Sequence, residues 1–508
     1  MNLANALEDN IKKFDEYTSW IFEDNEFTNV EINQQANKLA NGLSGLGVKR
    51  GDRVMVLMRN CPEVIICFLA TWELGAIAMP TIFILSPEEI SYNLQDSGAE
   101  TIVTDSESYH RKVERIRSQV PELRNIILVD EKLAKTVFYH DLVDEGSEKF
   151  KTVETDDDEI ALLLYTAGTT GKPKGVMRTH LSDYIFGCGT SDAFLVPGEN
   201  SRDFTSLLAL PLSHSFGVLV MLYSFFWGNK NIVMRKFDAE EALKTIQKHK
   251  VKLFSAVPTM VTRLMEVPGA EKYVNHGVHF DFGGAPLPVE LVRDIMEKLK
   301  GTVTFGYGTT ESGVPTQHLR TIPVEPEKIA RSIGLAMFPA VELRIFDGAD
   351  NELPFDEIGE LVVRGPTVMK GYWNRPDLTK KTLRNGWYHT GDLGYRDKRG
   401  YFYLTGRKDD LIIRGGENVY PAEVEDVLYT HPKVLEATVI GVPDKKYGEE
   451  VKAFVVLKQR EKATEEEVKE YCRQQLAYFK IPRIVEFIDD LPKSSVGKVL
   501  KRELRKDT

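Results

Sequence analysis

Cysteine is scarce in this 508-residue chain. The four present, Cys61, Cys67, Cys188 and Cys472, form no CxxC pair and no metal-like spacing. That excludes a disulfide-stapled framework and a cysteine-ligated zinc cluster, and predicts reduced, mostly buried thiols in a cytoplasmic protein. A basic excess is also lacking: 65 Lys+Arg stand against 76 Asp+Glu, for a formal charge of −11. Broad nucleic-acid binding needs a basic footprint and is excluded, so an anionic nucleotide could be held only by a local site. The longest apolar stretch, residues 216–227, is short of the roughly 20 residues that span a bilayer, and is expected to be a core segment. Residues 1–13 alternate polar and apolar side chains and carry no signal-peptide core. No Gly-x-Ser-x-Gly occurs, which argues against a serine hydrolase of the nucleophile-elbow kind. Internal repeats and low-complexity tracts are absent as well. What remains is an ordinary globular balance, 42% hydrophobic and 28% charged, long enough for a large composite domain and a smaller one.

The first third alternates strand-like and helix-like segments. Residues 53–58 are apolar and β-prone, and 62–74 form an apolar run of helical length. Ser86-Pro87-Glu88-Glu89 reads as a helix start, with Ser as N-cap, Pro in the first turn and acids behind it. Residues 101–104 predict a strand, 109–119 a charged helix and 125–129 a further strand. After the loop around Asp156 come a buried strand over 159–165 and a helix over 239–249 opened by the capping pair Asp238 and Glu241. Strands over 251–257, 279–282 and 302–307 then alternate with helices over 258–266 and 288–299. This pattern predicts an α/β fold with a largely parallel sheet. From about Val341, short strands (341–346, 359–363, 401–404) predict a small β-rich subdomain. A break at Gly406-Arg407-Lys408-Asp409-Asp410 precedes a compact α+β unit, with helices over 422–429 and 464–476 and strands over 437–441, 451–457 and 484–488. The expected division is a core of residues 1–406 and a small mobile domain of residues 407–508. The basic tail from Lys493 to Lys506 is expected to be mobile.

The densest chemical signal is Tyr165-Thr166-Ala167-Gly168-Thr169-Thr170-Gly171-Lys172-Pro173-Lys174-Gly175. Glycines admit backbone N–H groups to phosphate oxygens, hydroxyls add donors and lysines add positive charge. It is not a Walker A loop, because Pro173 follows Lys172 where Ser or Thr is required. The loop resembles the signature of the adenylate-forming superfamily: acyl-CoA synthetases, firefly-type luciferases, 4-coumarate–CoA ligases and peptide-synthetase adenylation domains. Ala167 stands where Ser is also common, which removes one hydroxyl donor. Further segments match in family order along nearly the whole chain. Pro211-Leu212-Ser213-His214-Ser215-Phe216-Gly217 is similar to the acyl-site segment and Gly283-Gly284-Ala285-Pro286-Leu287 to the adenine-binding loop. Tyr307-Gly308-Thr309-Thr310-Glu311 is similar to the nucleotide- and magnesium-binding loop, and Tyr388-His389-Thr390-Gly391-Asp392 to the ribose-binding segment. The break at 406–410, followed by Arg414-Gly415-Gly416-Glu417-Asn418, resembles the hinge and its adjoining loop. Pro492-Lys493-Ser494-Ser495-Val496-Gly497-Lys498 resembles the tail that carries the catalytic lysine.

The residues can be read beside that resemblance. Asp392, after a tight turn, could accept both ribose hydroxyls; Arg407 offers a rigid fork of donors for ribose or phosphate. Glu311 is a carboxylate suited to Mg²⁺, a hard cation, with Thr166 as a second oxygen donor. Lys498 reads from composition alone as a solvated lysine. The resemblance makes it the charge that bridges carboxylate and α-phosphate, and such a charge can contribute several kcal/mol in the transition state. It also implies that His214 walls the acyl site, with Phe216, Gly217, Met221, Val257, Gly283 and Gly308 as pocket candidates. Asp409 matches the hinge position, and Gly415 and Gly416 are expected to line a narrow tunnel for the thiol.

The implied activity is an ATP-dependent acid–CoA ligase. A carboxylate attacks ATP to give an acyl-adenylate and pyrophosphate, and coenzyme A then takes the acyl group. ATP, Mg²⁺ and coenzyme A are the expected cofactors and co-substrates. The segment matching His214–Gly217 lacks the Asp with which amino-acid-activating relatives hold an amine. A medium- or long-chain fatty acid is the first expectation, and an aromatic or alicyclic acid the second. A carrier-protein acceptor and a luciferase-like oxidoreductase remain open alternatives. A homodimer is compatible with the sequence; no transmembrane segment and no nucleic-acid partner are expected.

Overall fold

The chain is described here by a computed structural model that covers all residues except 167–171, 190–198, 338–339, 494–498 and 506–508. Two large sheets build the first region. In one, Arg53–Leu57 lies between Ile77–Pro80 and Thr101–Thr104, and Asn125–Leu128 follows, all in parallel. Ile160–Thr166 runs parallel to Ile77–Pro80 and pairs antiparallel with Lys174–Thr179. The other sheet places Thr205–Leu208, Leu253–Ala256, His279–Phe282 and Thr302–Thr309 side by side in parallel, then turns antiparallel at Gly313–Gln317. The α/β expectation therefore holds, and most strands fall within a residue or two of their expected bounds.

Local chemistry sets many of the boundaries. Ser86 and Glu89 form a reciprocal capping box at the head of the helix Pro87–Ser97, and Gly98 ends that helix in a left-handed conformation. The helix Ser215–Trp227 is apolar on every face, so it can exist only in the interior; all its residues from Gly217 to Phe225 are buried. This is the stretch expected to be core. The charged helix expected over 109–119 is present as one helical run from Ser106 to Gln119, widened to a π-helix at Tyr109–Val113 and tightened to a 3-10 turn at Arg117–Gln119. One feature was not anticipated. The N-terminus forms a helix, Asn5–Phe14, whose buried residues include Asn10. Asn10 donates to the Phe225 carbonyl at 2.9 Å, which satisfies a polar side chain at a buried position.

After Glu342 the fold changes. Glu342–Phe346, Gly359–Arg364, Trp387–Arg396 and Phe402–Arg407 form an antiparallel sheet, the expected β-rich subdomain. The last strand runs through Arg407, one residue past the expected boundary, and a short turn at Lys408–Asp410 follows. Beyond it, Ile412–Arg414, Val434–Asp444, Gly448–Leu457 and Ile484–Phe487 build a separate sheet. Apolar side chains of this sheet and of the helices Pro421–Tyr429 and Glu465–Arg473, among them Val424, Val439, Val455 and Cys472, pack in clusters of their own. Cys61, Cys67 and Cys472 are buried free thiols, as expected, and Cys188 is half-buried. Among the described residues no helix is long and apolar enough to cross a membrane.

Candidate active site

Among the described residues, hydrogen bonds join several of the candidates: Ser215 with Thr310, Tyr307 with Asp392, and Asp392 with Arg407. The hairpin of Ile160–Thr166 and Lys174–Thr179 is closed by the pair Thr166 and Lys174, so the glycine-rich loop is delivered from a rigid base. Gly168, Thr169, Thr170 and Gly171 lie outside the described residues, as does Lys498. Lys172 lies over the Tyr92 ring and Lys174 over the Tyr372 ring, 5.7 and 5.4 Å from the ring centres. Tyr372 in turn donates to Glu311 Oε1 at 2.9 Å. A lysine at the end of the loop and the candidate magnesium carboxylate are thus joined through one tyrosine.

Glu311 follows the strand Thr302–Thr309 and is half-buried. Among the described residues no group of three His, Cys, Asp or Glu side chains could hold a metal. A single carboxylate of this kind fits Mg²⁺, which keeps several waters and is commonly held by one or two carboxylates together with substrate phosphates. Gly308 sits at an irregularity between Tyr307 and Thr309, where a Cβ would fall 2.4 Å from the Gly313 carbonyl oxygen. Only glycine fits so close to a neighbouring backbone. Thr309 shares hydrogen bonds with Ser312 and Tyr388. Thr310 Oγ1 lies 3.3 Å from Ser215 Oγ, which ties the segment that carries Glu311 to the segment that carries His214.

Asp392 and Arg407 occupy paired positions on adjacent antiparallel strands. Arg407 Nη1 donates to Asp392 Oδ1 at 2.8 Å, and the Tyr307 hydroxyl donates to Oδ2. Burial, and then the Asp392 charge, push the Tyr307 phenol well above its ordinary value, so it stays a donor. Gly284 has φ +80° and is exposed, with half-buried Ala285 and exposed Pro286 after it, leaving an open backbone shelf beside the site.

His214 caps the helix Ser215–Trp227, its Nδ1 accepting from the Phe216 N–H at 3.3 Å. An imidazole that accepts at Nδ1 carries its proton on Nε2. His214, Phe216, Gly283 and Gly308 line one cleft, part of it open to solvent. The other three pocket candidates do not line it. Met221 is fully buried in the core. Val257 is also buried and precedes the helix Pro258–Glu266. Gly217 serves helix packing: a Cβ there would sit 2.1 Å from the Pro211 carbonyl oxygen. The cleft wall also includes groups that the motifs did not announce: Leu219, Leu222 and Phe186, and the buried polar side chains Arg178, Asp183, Asp281 and Gln317. Arg178 and Asp183, opposite charges five residues apart in an apolar stretch, were the available signal.

Asp281 is buried and accepts from Thr304, Gln317 and Ser255. Burial pushes its carboxyl up to about 7, against the pull of those hydrogen bonds. Asp409 is exposed in the turn after Arg407. Gly415 and Gly416 are exposed with φ +61° and +91°, and a Cβ on Gly416 would meet open space.

The AMP-binding enzyme model matches residues 7–373, and the AMP-binding enzyme C-terminal domain model matches residues 423–498. The chain belongs to the AMP-binding enzyme family. This AMP-binding enzyme is 35% identical over 531 aligned residues to a long-chain-fatty-acid–CoA ligase of Bacillus subtilis (strain 168), covering 99% of this chain and 94% of that one. It is 36% identical over 480 residues to a 2-succinylbenzoate–CoA ligase of Geobacillus sp. (strain WCH70), covering 94% and 92%. Among solved structures, ATP-bound MatB from Rhodopseudomonas palustris superposes with a TM-score of 0.91 at 31% identity, covering 100% of this chain and 99% of that one. Apo MatB, at the same identity, gives 0.79. The AMP-binding enzyme described here is an acyl-CoA synthetase, joining an acid to coenzyme A through an acyl-adenylate with ATP and Mg²⁺.

Proposed function

We propose that the acid is compact, with an aromatic or alicyclic body, and that adenylation takes place beside Glu311, Thr310 and His214. The observation that carries this reading is the wall of the cleft, where Arg178, Asp183, Asp281 and Gln317 lie among apolar side chains. Asp183 Oδ2 in that wall has no hydrogen-bond partner among the described residues, and a long unbranched apolar chain would leave it unpaired. The fatty acid favoured by the sequence therefore takes second place. Relatives of both kinds are known by name, a long-chain-fatty-acid–CoA ligase and a 2-succinylbenzoate–CoA ligase.

In this reading Lys172, Lys174, Thr166 and the loop 168–171 hold the phosphates. Gly284, Ala285 and Pro286 flank the adenine, with Tyr307, Gly308, Thr309 and Thr310 beneath the nucleotide. Asp392 accepts from the ribose, and Arg407 holds Asp392 in place. Glu311 holds Mg²⁺, with Thr166 as a further donor, and the metal supplies charge neutralisation at the phosphates. Lys498 brings its ammonium to the reacting oxygens. In-line attack on phosphorus asks mainly for positioning and charge neutralisation, which such a set supplies. The small domain, from about Lys408 onward, turns at Asp409 between the two half-reactions and brings Gly415 and Gly416 to the thiol. Two superpositions of one relative, 0.91 with ATP and 0.79 without, support more than one domain arrangement in this family. The enzyme works in the cytoplasm.

The test is AMP and pyrophosphate release across ring-bearing and straight-chain acids, with and without coenzyme A. Preference for ring-bearing acids with strong stimulation by coenzyme A is expected. Preference for straight chains of more than about ten carbons would overturn the substrate class, because burying each methylene is worth about 0.8 kcal/mol only in an apolar site.

A further inference from the structure

Resting on the cleft assigned above, we propose that Asp183 determines specificity by accepting a hydrogen bond from a hydroxyl group carried on the body of the acid. Arg178 lies on the strand Lys174–Thr179, and Asp183 in the first turn of the helix His180–Gly189 that follows. Their side chains are 3% and 6% exposed. Arg178 spends two donors on one oxygen: Nε and Nη2 both reach Asp183 Oδ1, at 3.1 and 2.7 Å. Its Nη1 donates to the Thr367 carbonyl. Asp183 Oδ2 is fully buried and has no hydrogen-bond partner among the described residues. Both residues line the cleft, beside Phe186, Phe216 and Leu222.

The chemistry of that oxygen limits what it can meet. An ionised carboxylate only accepts. A buried acceptor left unpaired bears the full cost of its desolvation, and a ligand that brings a donor relieves it. Arg178 offsets the charge only in part, since burial still holds the Asp183 carboxyl above its ordinary value, so the oxygen calls for a neutral donor. A second carboxylate on the acid would face Oδ2 with like charge, and a methyl group would leave it unpaired. Asp281 is the less suited of the two carboxylates, since Oδ1 accepts from Thr304 and Gln317 and Oδ2 from Ser255, whereas Asp183 Oδ2 has no partner among the described residues. A hydroxyl, phenolic or alcoholic, is the group that fits. A site built to hydrogen-bond a substrate group discriminates far more strongly than an apolar slot does.

The experiment uses the full chain and pairs of acids that differ by one hydroxyl, such as benzoate against its 3- and 4-hydroxy forms and cyclohexanecarboxylate against its hydroxylated forms. kcat/KM is read from pyrophosphate release with coenzyme A present. At least one hydroxylated acid is expected to exceed its parent by about tenfold or more. In the double variant Arg178→Met/Asp183→Leu, which replaces the pair as a unit and so leaves no unpaired buried charge, the ratio is expected to fall to unity or below. Ratios within about threefold of unity for every pair, with the parent acids activated, would overturn the proposal, since built polar sites discriminate by much more. So would a double variant that keeps the wild-type ratio. If the variant does not fold, the wild-type ratios decide alone. Release from none of the acids would overturn instead the substrate class on which the proposal rests.

Discussion

Asp392 and Arg407 face each other across two antiparallel strands, and Arg407 Nη1 donates to Asp392 Oδ1 at 2.8 Å. The register of one strand pair thus holds a carboxylate whose other oxygen already takes the Tyr307 hydroxyl. Asp392→Asn keeps the shape and removes the charge. Hydrogen bonds to charged groups contribute about 1.5–3 kcal/mol, so KM for ATP is expected to rise by about ten- to a hundredfold, with a smaller change in kcat. Initial rates over a range of ATP concentrations check this, and an unchanged KM would remove Asp392 from the nucleotide site.

Glu311 is held by Tyr372. Glu311→Gln is expected to slow adenylation by about a hundredfold and to raise the Mg²⁺ needed for half-maximal rate. Tyr372→Phe removes only one hydrogen bond and should cost about three- to tenfold. Pyrophosphate exchange at graded Mg²⁺ distinguishes the two. Equal losses in both variants, with no change in Mg²⁺ dependence, would point to a loop-packing role for Glu311.

Two glycines of the acyl-site motifs should behave in opposite ways. A Cβ at Gly217 would meet the Pro211 carbonyl oxygen at 2.1 Å, whereas one at Gly283 would meet the Phe216 ring at 3.4 Å, an ordinary contact. Gly217→Ala is therefore expected to lose about 1–3 kcal/mol of stability through overpacking. Gly283→Ala should keep its melting temperature and shift preference toward smaller acids. Thermal melts and a substrate panel on both variants decide.

Asp281 gives a pH signature with a definite sign. Its carboxyl is raised to about 7 in the folded protein, above its unfolded value. Between about pH 4 and 7 the native state holds a proton that the unfolded chain has released, so this group's contribution to stability falls as pH rises and levels off above about 7. His180 and His318, each lowered to about 4 by burial, act in the other direction, their contribution being lost as pH falls below about 6.5. The prediction concerns the difference between wild type and Asp281→Asn. Relative to wild type, the variant should gain stability from pH 5 to pH 8 by an amount on the order of a few kcal/mol. Denaturant midpoints at several pH values measure it, and a flat difference would contradict the raised carboxyl.

Asp409 stands in the exposed turn directly after the last strand of the β-rich sheet. Fixing its backbone by Asp409→Pro is expected to leave acyl-adenylate formation within about threefold and to slow thioester formation by about tenfold or more. Single-turnover measurements of each half-reaction separate them. Equal slowing of both would place the hinge elsewhere.

Much of the fold was legible because its elements announce themselves locally. The helix Ala239–His249 opens on Asp238, whose side chain accepts from the Glu241 N–H as its spacing predicts. The strands Thr101–Thr104 and His279–Phe282 fall where apolar β-prone runs put them. The N-terminal helix Asn5–Phe14 went unread although Leu7, Ile11 and Phe14 recur at helical spacing; its buried Asn10 is satisfied by a backbone carbonyl more than 200 residues away. No local pattern encodes that partner.

The residues proposed for the nucleotide fall in contiguous runs, because a turn that presents backbone donors to an anion demands glycine, hydroxyl and charge at fixed neighbouring positions. The sequence by itself therefore determined the reaction class, and it supplied the residues proposed for the nucleotide site. The acyl cleft has no such run. Its wall draws Arg178 and Asp183 from one strand–helix unit, Phe216 from another helix, and Asp281 and Gln317 from two strands. Whether Gly217 or Gly283 opens space, and whether Met221 faces the core or the cleft, depends on which elements pack against each other. Only the tertiary structure decided that, because a pocket is a gap between elements and its surface belongs to no single one of them.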